Sequence, residues 1–258
     1  MDFEDKVVIV TGASSGIGAA CALSFAKLSA KLTIVGRNVE KLREVHDQCE
    51  EASGKKPLIV VADISKEEDN ARIIKETVDF YGKIDVLVNN AGMLLMAKLM
   101  DDISNYDRIS ATNVRGTYVL TQLAVPHLTE TKGNIVNVSS VVSTVPIPAM
   151  VPYCMAKAAL DMLTKCAALE LASQGVRVNS VNPGPVATNI FKTAGATEDQ
   201  NKYIYETMGA SVPLKKIATS EDIANTVVFL ASDRASCITG SFHIVDCGLH
   251  LGEPIVKN

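Results

Sequence analysis

Tyr153 and Lys157 stand four residues apart in a stretch with helical spacing, so both side chains project from one helix face. A phenol titrates near 10 in water and is a poor base at neutral pH. An ammonium fixed beside it favours the phenolate and brings that proton within reach of chemistry. Each unit of lowering corresponds to about 1.36 kcal/mol of differential stabilisation. Such a pair suits proton transfer to or from a carbonyl oxygen. The same spacing also describes a half-buried ring beside a solvated lysine, so the pair needs support from elsewhere in the chain.

A second chemical feature lies near the N-terminus, where an apolar run passes into Thr11-Gly12-Ala13-Ser14-Ser15-Gly16-Ile17-Gly18 and then a helical stretch. A strand, glycine turn and helix in that order aim free backbone N–H groups and the positive helix end at one point, where a pyrophosphate can sit. Gly12, Ser14, Ser15, Gly16, Ile17 and Gly18 are therefore candidate cofactor-binding residues, although a tight strand-to-helix connection would use the same glycines. An acid about 20 residues further on normally accepts from a ribose 2′-hydroxyl. Here the chain reads Gly36-Arg37-Asn38 instead. A guanidinium pairs with a 2′-phosphate, so NADP(H) is expected over NAD(H), unless Arg37 is simply a solvated charge. Glu40 falls in the first turn of the next helix, where the helix dipole accounts for it.

The elements that would position these residues alternate. Short β-branched runs at Lys6–Gly12, Lys31–Gly36, Pro57–Asp63, Ile84–Asn89, Asn134–Ser139, Val176–Asn182 and Ser241–Asp246 are separated by helical stretches at about 16–29, 38–52, 66–81, 104–127, 153–173 and 220–232. Near-continuous Val/Ile/Leu in several runs fits strands covered on both faces. The fold class expected is α/β: a single-domain, Rossmann-like, doubly wound parallel sheet of about seven strands with helices on both faces. Ser65 and Ser220 are expected helix starts. Pro185, Gly195, Gly209 and Pro213 interrupt the pattern, which predicts a long lid-like excursion at about 187–217.

Composition excludes several function classes. With 47% hydrophobic and 21% charged residues among 258, the chain can build a core, and a single domain of this size buries roughly 70 to 75% of its unfolded surface. A net charge of −4 offers no field for nucleic acid or anionic lipid. No apolar run approaches the roughly 18 residues of a membrane span, and the opening Met-Asp-Phe-Glu-Asp is unlike a signal peptide. Six cysteines show no CxxC pair, and the four histidines have no evident ligand partners in sequence, so reduced thiols, a cytoplasmic protein and no metal are expected. Asn137-Val138-Ser139 matches a glycosylation acceptor but lies inside an apolar strand.

Asn89-Asn90-Ala91-Gly92 follows the fourth strand, Asn113 lies in the long helical stretch, Ser139-Ser140 follows the fifth strand, and Pro183-Gly184 the sixth. Taken with the glycine turn and Tyr153-Cys154-Met155-Ala156-Lys157, this set resembles the short-chain dehydrogenase/reductase family from Lys6 to Gly248. The resemblance implies that Tyr153 is the general acid/base and that Lys157 holds the nicotinamide ribose and lowers the tyrosine pKa. Ser140 would donate to the substrate oxygen, Ser139 would be structural, and Asn113 would hold a water linking Lys157 to solvent. Asp63 and Ile64 would contact the adenine. Asn90, Ala91 and Gly92 would shape the strand end beneath the cofactor, and Pro183, Gly184, Val186 and Thr188 would lie at the nicotinamide.

A small carbonyl or alcohol is the implied substrate. Met93 to Met96, Val141, Val142, Val145 to Ile147 and the stretch around Phe191 are mostly apolar, which points to a lipophilic one. A 3-oxoacyl-thioester reductase shares every motif and would need a basic patch, for which Arg115, Lys165 and Arg177 are candidates. A non-catalytic dinucleotide-sensing scaffold is the alternative outside enzymes. The resemblance also implies a homo-oligomer, a dimer or tetramer, with Ala158, Ala159, Ala167 and Ala168 among the small residues on the pairing helices. Cysteine at 247, where relatives usually carry glycine, is expected to be a small buried thiol, and Cys154 to turn about 100° away from Tyr153 and pack.

Overall fold

The computed structural model describes residues 3–188 and 197–252; Phe191 and most of the expected lid's first third lie outside the described residues. Seven parallel strands form one sheet: β1 (Val7–Thr11), β2 (Lys31–Gly36), β3 (Leu58–Val61), β4 (Val86–Asn89), β5 (Asn134–Val138), β6 (Arg177–Pro183) and β7 (Phe242–Val245). They lie in the order β3-β2-β1-β4-β5-β6-β7, all pairs parallel. The order reverses between β1 and β4. In such sheets the crevice at that reversal, beyond the strands' carboxyl ends, is where ligands bind.

Continuous apolar strands need cover on both faces, and helices supply it. On one face α1 (Gly16–Lys27), α2 (Val39–Ser53) and a helix at Ser220–Ala231 pack on Val8, Val10, Val86, Val136 and Val181. On the other, α3 (Glu67–Tyr81), a long helix beginning at Ile103 and α6 (Val151–Leu171) cover Ile9, Val35, Leu87, Ile135 and Val178. Buried amides tie that second face to the sheet. Asn89 Nδ2 donates to Thr121 Oγ1 (3.0 Å) and to Asn137 Oδ1 (2.9 Å), and Asn137 Nδ2 donates to Thr164 Oγ1 (2.8 Å).

The structure departs from the sequence expectation in four places. The helical stretch at 104–127 runs from 103 to 131 as α4 (Ile103–Ser110), a π-helical segment at Ala111–Gly116 and α5 (Thr117–Thr131). The excursion after β6 contains a helix, α7 (Glu198–Ser211), started by a capping box in which Thr197 and Gln200 satisfy each other's backbone. The last helix, α8 (Ser220–Ala231), is capped by Thr219 with Asp222 rather than by Ser220. Before α3 the N-cap is Lys66, with no side-chain cap, and Ser65 instead donates from N (3.0 Å) and Oγ (2.8 Å) to Asp63 Oδ1.

The π segment matters because it is where the long helix docks. Asn70 Nδ2 donates to the carbonyls of Ile64 (2.9 Å) and Gly116 (3.3 Å), drawing two backbones together. A Cβ on Gly116 would sit 2.3 Å from the Ile64 carbonyl oxygen, which is backbone and cannot swing away. Gly116→Ala is expected to cost roughly 2 kcal/mol, the usual size of overpacking, measured as a lower urea midpoint at unchanged m-value. An unchanged midpoint would mean that the helix does not dock this closely.

Candidate active site

The glycine turn is clamped from β4. Thr11 Oγ1 accepts from the backbone N–H groups of Asn90 and Ala91, each at 3.0 Å, and Asn90 Nδ2 donates to the Thr11 carbonyl (2.9 Å). A Cβ on Gly18 would lie 2.2 Å from the Gly12 carbonyl oxygen, so the start of α1 packs directly on the turn. The N-cap, Ser15, makes no side-chain bond to α1, and the first turn holds no acid. The helix N–H groups therefore face the cleft with their positive end uncompensated. Gly12, Ser14, Ser15, Gly16 and Ile17 line this cleft beside Arg37, Asn38, Asp63, Ile64, Asn90, Ala91, Gly92 and Thr188. Gly18 lies beneath them. A cradle that a Cβ would fill, at a positive helix end, fits a nicotinamide dinucleotide's pyrophosphate.

Arg37 reaches Asp63 at 3.5 Å with most of its side chain exposed, and Asn38 Oδ1 accepts from Lys41 N (2.9 Å) as the cap of α2. The Asp63 carboxyl is held below the usual carboxylate range; burial opposes this, and hydrogen bonds from Ser65 with the Arg37 charge outweigh it. Lys41 also lines the cleft there, a second cation that the sequence reading did not single out. Its spacing of four from Arg37 was the available signal.

The cleft continues past Ile17, Asn90, Gly92 and Thr188 into a pocket that Ser140, Tyr153, Lys157, Pro183, Gly184 and Val186 line together. Ser140 starts a short 3₁₀ turn at Val141–Ser143. Its Oγ accepts from Val142 N (3.3 Å), lies 3.4 Å from the Pro183 carbonyl, and shares a hydrogen bond with the Tyr153 phenol. Ser139 Oγ donates to the Lys157 carbonyl (3.2 Å), in keeping with a structural part. Lys157 Nζ donates to the Val138 carbonyl (2.8 Å) and lies 5.6 Å from the centre of the Tyr153 ring.

Burial and neighbouring backbone both act on this group. Burial pushes the Tyr153 phenol up to about 12, only partly offset by the Ser140 hydrogen bond. The lysine is itself pulled down to about 8 by burial, against the raising effect of Asp161. Asn113 does not line the pocket. Its side chain is spent on one backbone residue, with Oδ1 accepting from Met93 N (2.8 Å) and Nδ2 donating to Met93 O (2.8 Å). It supports the Met93 segment, from within the π-helical turn, a distortion frequent at functional sites.

Of the apolar wall expected from sequence, Leu94, Val141, Val142 and Ile147 line the pocket and Met93 the adjoining cleft, whereas Met96 is exposed. Met150, Met208 from α7 and Leu249 complete it. Met208 and Leu249 were missed because they arrive from distant segments. Cys154 is half-buried, 4.0 Å from the Ile147 carbonyl, and packs as expected. Cys247 is half-buried rather than buried, and its φ of 56° keeps the left-handed bend that glycine adopts without strain. Arg115 is paired with Glu67 (2.7 Å), Arg177 donates to the carbonyls of Leu230 (2.8 Å) and Ser232 (3.1 Å), and Lys165 lies over Phe242. Arg177 is thereby removed from any docking patch. His46 has Asp47 and Glu50 beside it on α2, a grouping the spacing argument passed over; none of the three lines the cleft. Among the described residues, no helix is long and apolar enough to cross a membrane.

The sequence model of a family described as enoyl-(acyl carrier protein) reductase matches residues 12–250. An L-xylulose reductase of Caenorhabditis elegans is 38% identical over 251 residues, 96% of each chain. The chain belongs to the short-chain dehydrogenase/reductase family. A family member of unknown function from Caenorhabditis elegans, solved with cofactor, superposes with a TM-score of 0.94 at 37% identity over 97% of both chains. L-sorbose reductase from Gluconobacter frateurii, complexed with NADPH and L-sorbose, gives 0.90 at 31% identity over 97% of this chain and 98% of that one. A 3-ketoacyl-(acyl-carrier-protein) reductase from Brucella melitensis, complexed with NADH, gives 0.87 at 33% identity over 96% and 99%. The seven-stranded parallel sheet and oxidoreductase class follow from this membership.

The buried ammonium has a measurable cost. Lys157 binds its proton more weakly folded than unfolded, so the fold carries a deficit that is full below about pH 8 and fades as pH rises towards 10.5. Lys157→Met removes that titration. The unfolding free energy of wild type relative to the variant is expected to rise by about 2 kcal/mol between pH 7 and 10. A difference that stays flat across that range would place the lysine in solvent.

Proposed function

We propose that the chain is an NADP(H)-dependent carbonyl reductase or alcohol dehydrogenase acting on lipophilic ketones, aldehydes or secondary alcohols. The observation that carries the reading is the meeting of Ser140, Tyr153 and Lys157 at one apolar pocket that opens into the glycine-turn cleft. When bound, the dinucleotide supplies or accepts the hydride. Gly12, Ser14, Ser15, Gly16 and Ile17 cradle its phosphates through backbone N–H groups, with Gly18 closing the turn. Arg37 and Asn38 face the 2′-phosphate, Asp63 and Ile64 the adenine. Asn90, Ala91, Gly92, Pro183, Gly184, Val186 and Thr188 frame the nicotinamide end.

In reduction, Tyr153 Oη gives its proton to the substrate oxygen as that oxygen gains negative charge, and in oxidation the phenolate takes the hydroxyl proton back. Ser140 Oγ donates to the same oxygen, and Lys157, cationic beside the ring, stabilises the phenolate left behind and holds the nicotinamide ribose. Asn113 supports this end by fixing Met93. A phenol pushed up by burial is held protonated through neutral pH, the form that donates during reduction. Leu94, Val142, Ile147, Met150, Met208 and Leu249 favour an apolar substrate body. A thioester of an acyl-carrier protein is the second reading, supported by the likeness to the 3-ketoacyl reductase. The exposed Tyr118, Met155, Met162 and Leu169 on α5 and α6 support a homo-oligomer, and six free thiols a reducing, cytoplasmic setting.

Tyr153→Phe is expected to lower kcat about 10²- to 10⁴-fold on a carbonyl panel while nucleotide affinity stays within twofold. Full turnover in that variant would remove Tyr153 from its role. Nucleotide binding by the wild type with no turnover on any carbonyl would favour the scaffold alternative. Best turnover on charged keto acids or sugars would contradict the lipophilic substrate. Arg37→Asp is expected to weaken NADPH between about 10- and 100-fold and leave NADH little changed. An unaltered ratio of kcat/KM for the two cofactors would defeat the NADP(H) assignment.

A further inference from the structure

We propose that Asp161 is a positioning residue of this site, a buried carboxylate one helical turn beyond Lys157 that keeps the lysine cationic and braces the turn carrying Ser140. The inference rests on the reading of Tyr153 and Lys157 given above and adds a residue which that reading does not use. Positions 153, 157 and 161 are successive steps of four along α6, so the phenol, ammonium and carboxylate share one face, and all three are buried. A carboxylate is almost never fully buried without partners. Among the described residues Asn182 Nδ2 donates to Asp161 Oδ2 (2.9 Å), and Ser180 Oγ lies 3.4 Å from Oδ1, both from β6.

Those partners lead to the catalytic end. The same Asn182 amide lies 3.2 Å from Ser143 Oγ and 3.3 Å from the Ser140 carbonyl, at the end and start of the 3₁₀ turn, and its Oδ1 accepts from Ser180. Asp161, Ser180 and Asn182 thus form one buried network under Ser140. Towards the lysine the effect is one of charge. The direct acceptor of Lys157 Nζ is a neutral carbonyl, and burial draws its proton off; the charge acting against that loss is Asp161. On α6 itself the other titratable groups nearby are Tyr153 and Cys154. The pocket around Lys157 brings Val138, Ser139 and Ser140 from β5 and its turn, Asn90 and Gly92 from the end of β4, and Pro183 from β6, none of them titratable; α4 and the π-helical segment also pack on α6 and carry Tyr106, Asp107, Arg108 and Arg115, and the charge felt by Lys157 is that of Asp161.

The test follows the lysine itself. Protein labelled with [¹³Cε]lysine, without added nucleotide, is titrated by NMR as wild type and as Asp161→Asn, with the Lys157 resonance assigned by its loss in Lys157→Met. The amide is isosteric, and Asn182 and Ser180 can still bond to it. The midpoint for Lys157 is expected to fall by about one pH unit in Asp161→Asn. The alkaline limb of kcat moves with it, giving about tenfold lower turnover above that limb, with KM unchanged. A purely structural residue would lower the melting temperature without moving the midpoint, and that result would overturn the proposal. Should Asp161→Asn not fold, the wild-type Asp161 ¹³Cγ resonance decides: a step at the pH where Lys157 deprotonates supports the coupling, and a flat line there contradicts it. Failure of the reductase reading would appear as absent turnover in wild type and leave this titration readable.

Discussion

A single ammonium buried at the carboxyl edge of the sheet constrains everything around it. Among the described residues Lys157 has one direct hydrogen-bond acceptor, the carbonyl that ends β5, and burial draws its affinity for the proton down to about 8. A buried charge on these terms persists only where the surroundings over-determine it. The covered parallel strands, the helix face that carries Tyr153 with it, and the network of Ser180, Asn182 and Asp161 supply that determination. The stability given up at this position is what gives the site a cation next to a phenol in an apolar pocket, where electrostatic effects on a developing charge are large.

The two halves of the cleft are built on different principles. The dinucleotide half is backbone: a glycine turn, a helix start without a side-chain cap, and Asn90 holding the turn to β4 through Thr11 and Gly12. Little there depends on side-chain identity beyond the glycines and the cation at Arg37. The substrate half is side chains from five separate segments, with Leu94, Val142, Met150, Met208 and Leu249 converging on the pocket. A family can therefore keep the first half and vary the second, in line with relatives named for sugars and for acyl thioesters.

Much of this was legible in the chain because parallel strands covered on both faces leave near-continuous runs such as Val7–Thr11, because Gly12, Asn90, Ser140 and Gly184 follow strand ends directly, and because Tyr153 and Lys157 share one helix face. What escaped has physical reasons. Helix α7 is mostly exposed and has no apolar stripe to give it a period; its readable signal was the box of Thr197 and Gln200, which a reading built on glycines and prolines passes over. The π-helical turn inserts a change of winding that leaves composition unchanged. The direction of the Tyr153 shift could not be read from the spacing of four, since the ring is buried in part by Leu94, Ile109, Val141 and Val142, which lie outside α6. Met208 and Leu249 reach the pocket from segments more than fifty residues after Tyr153 in the chain.

The central claim is that a phenolic proton and a hydride move together onto one carbonyl in this pocket. The solvent isotope effect on kcat/KM for carbonyl reduction, measured across mixtures of H₂O and D₂O with 4-deuterated NADPH confirming that hydride transfer limits the rate, tests it most directly. The account predicts a normal effect, linear in the deuterium fraction as one moving proton requires, and lost in Tyr153→Phe. An effect of unity while hydride transfer is limiting, or one that persists undiminished in that variant, would contradict it.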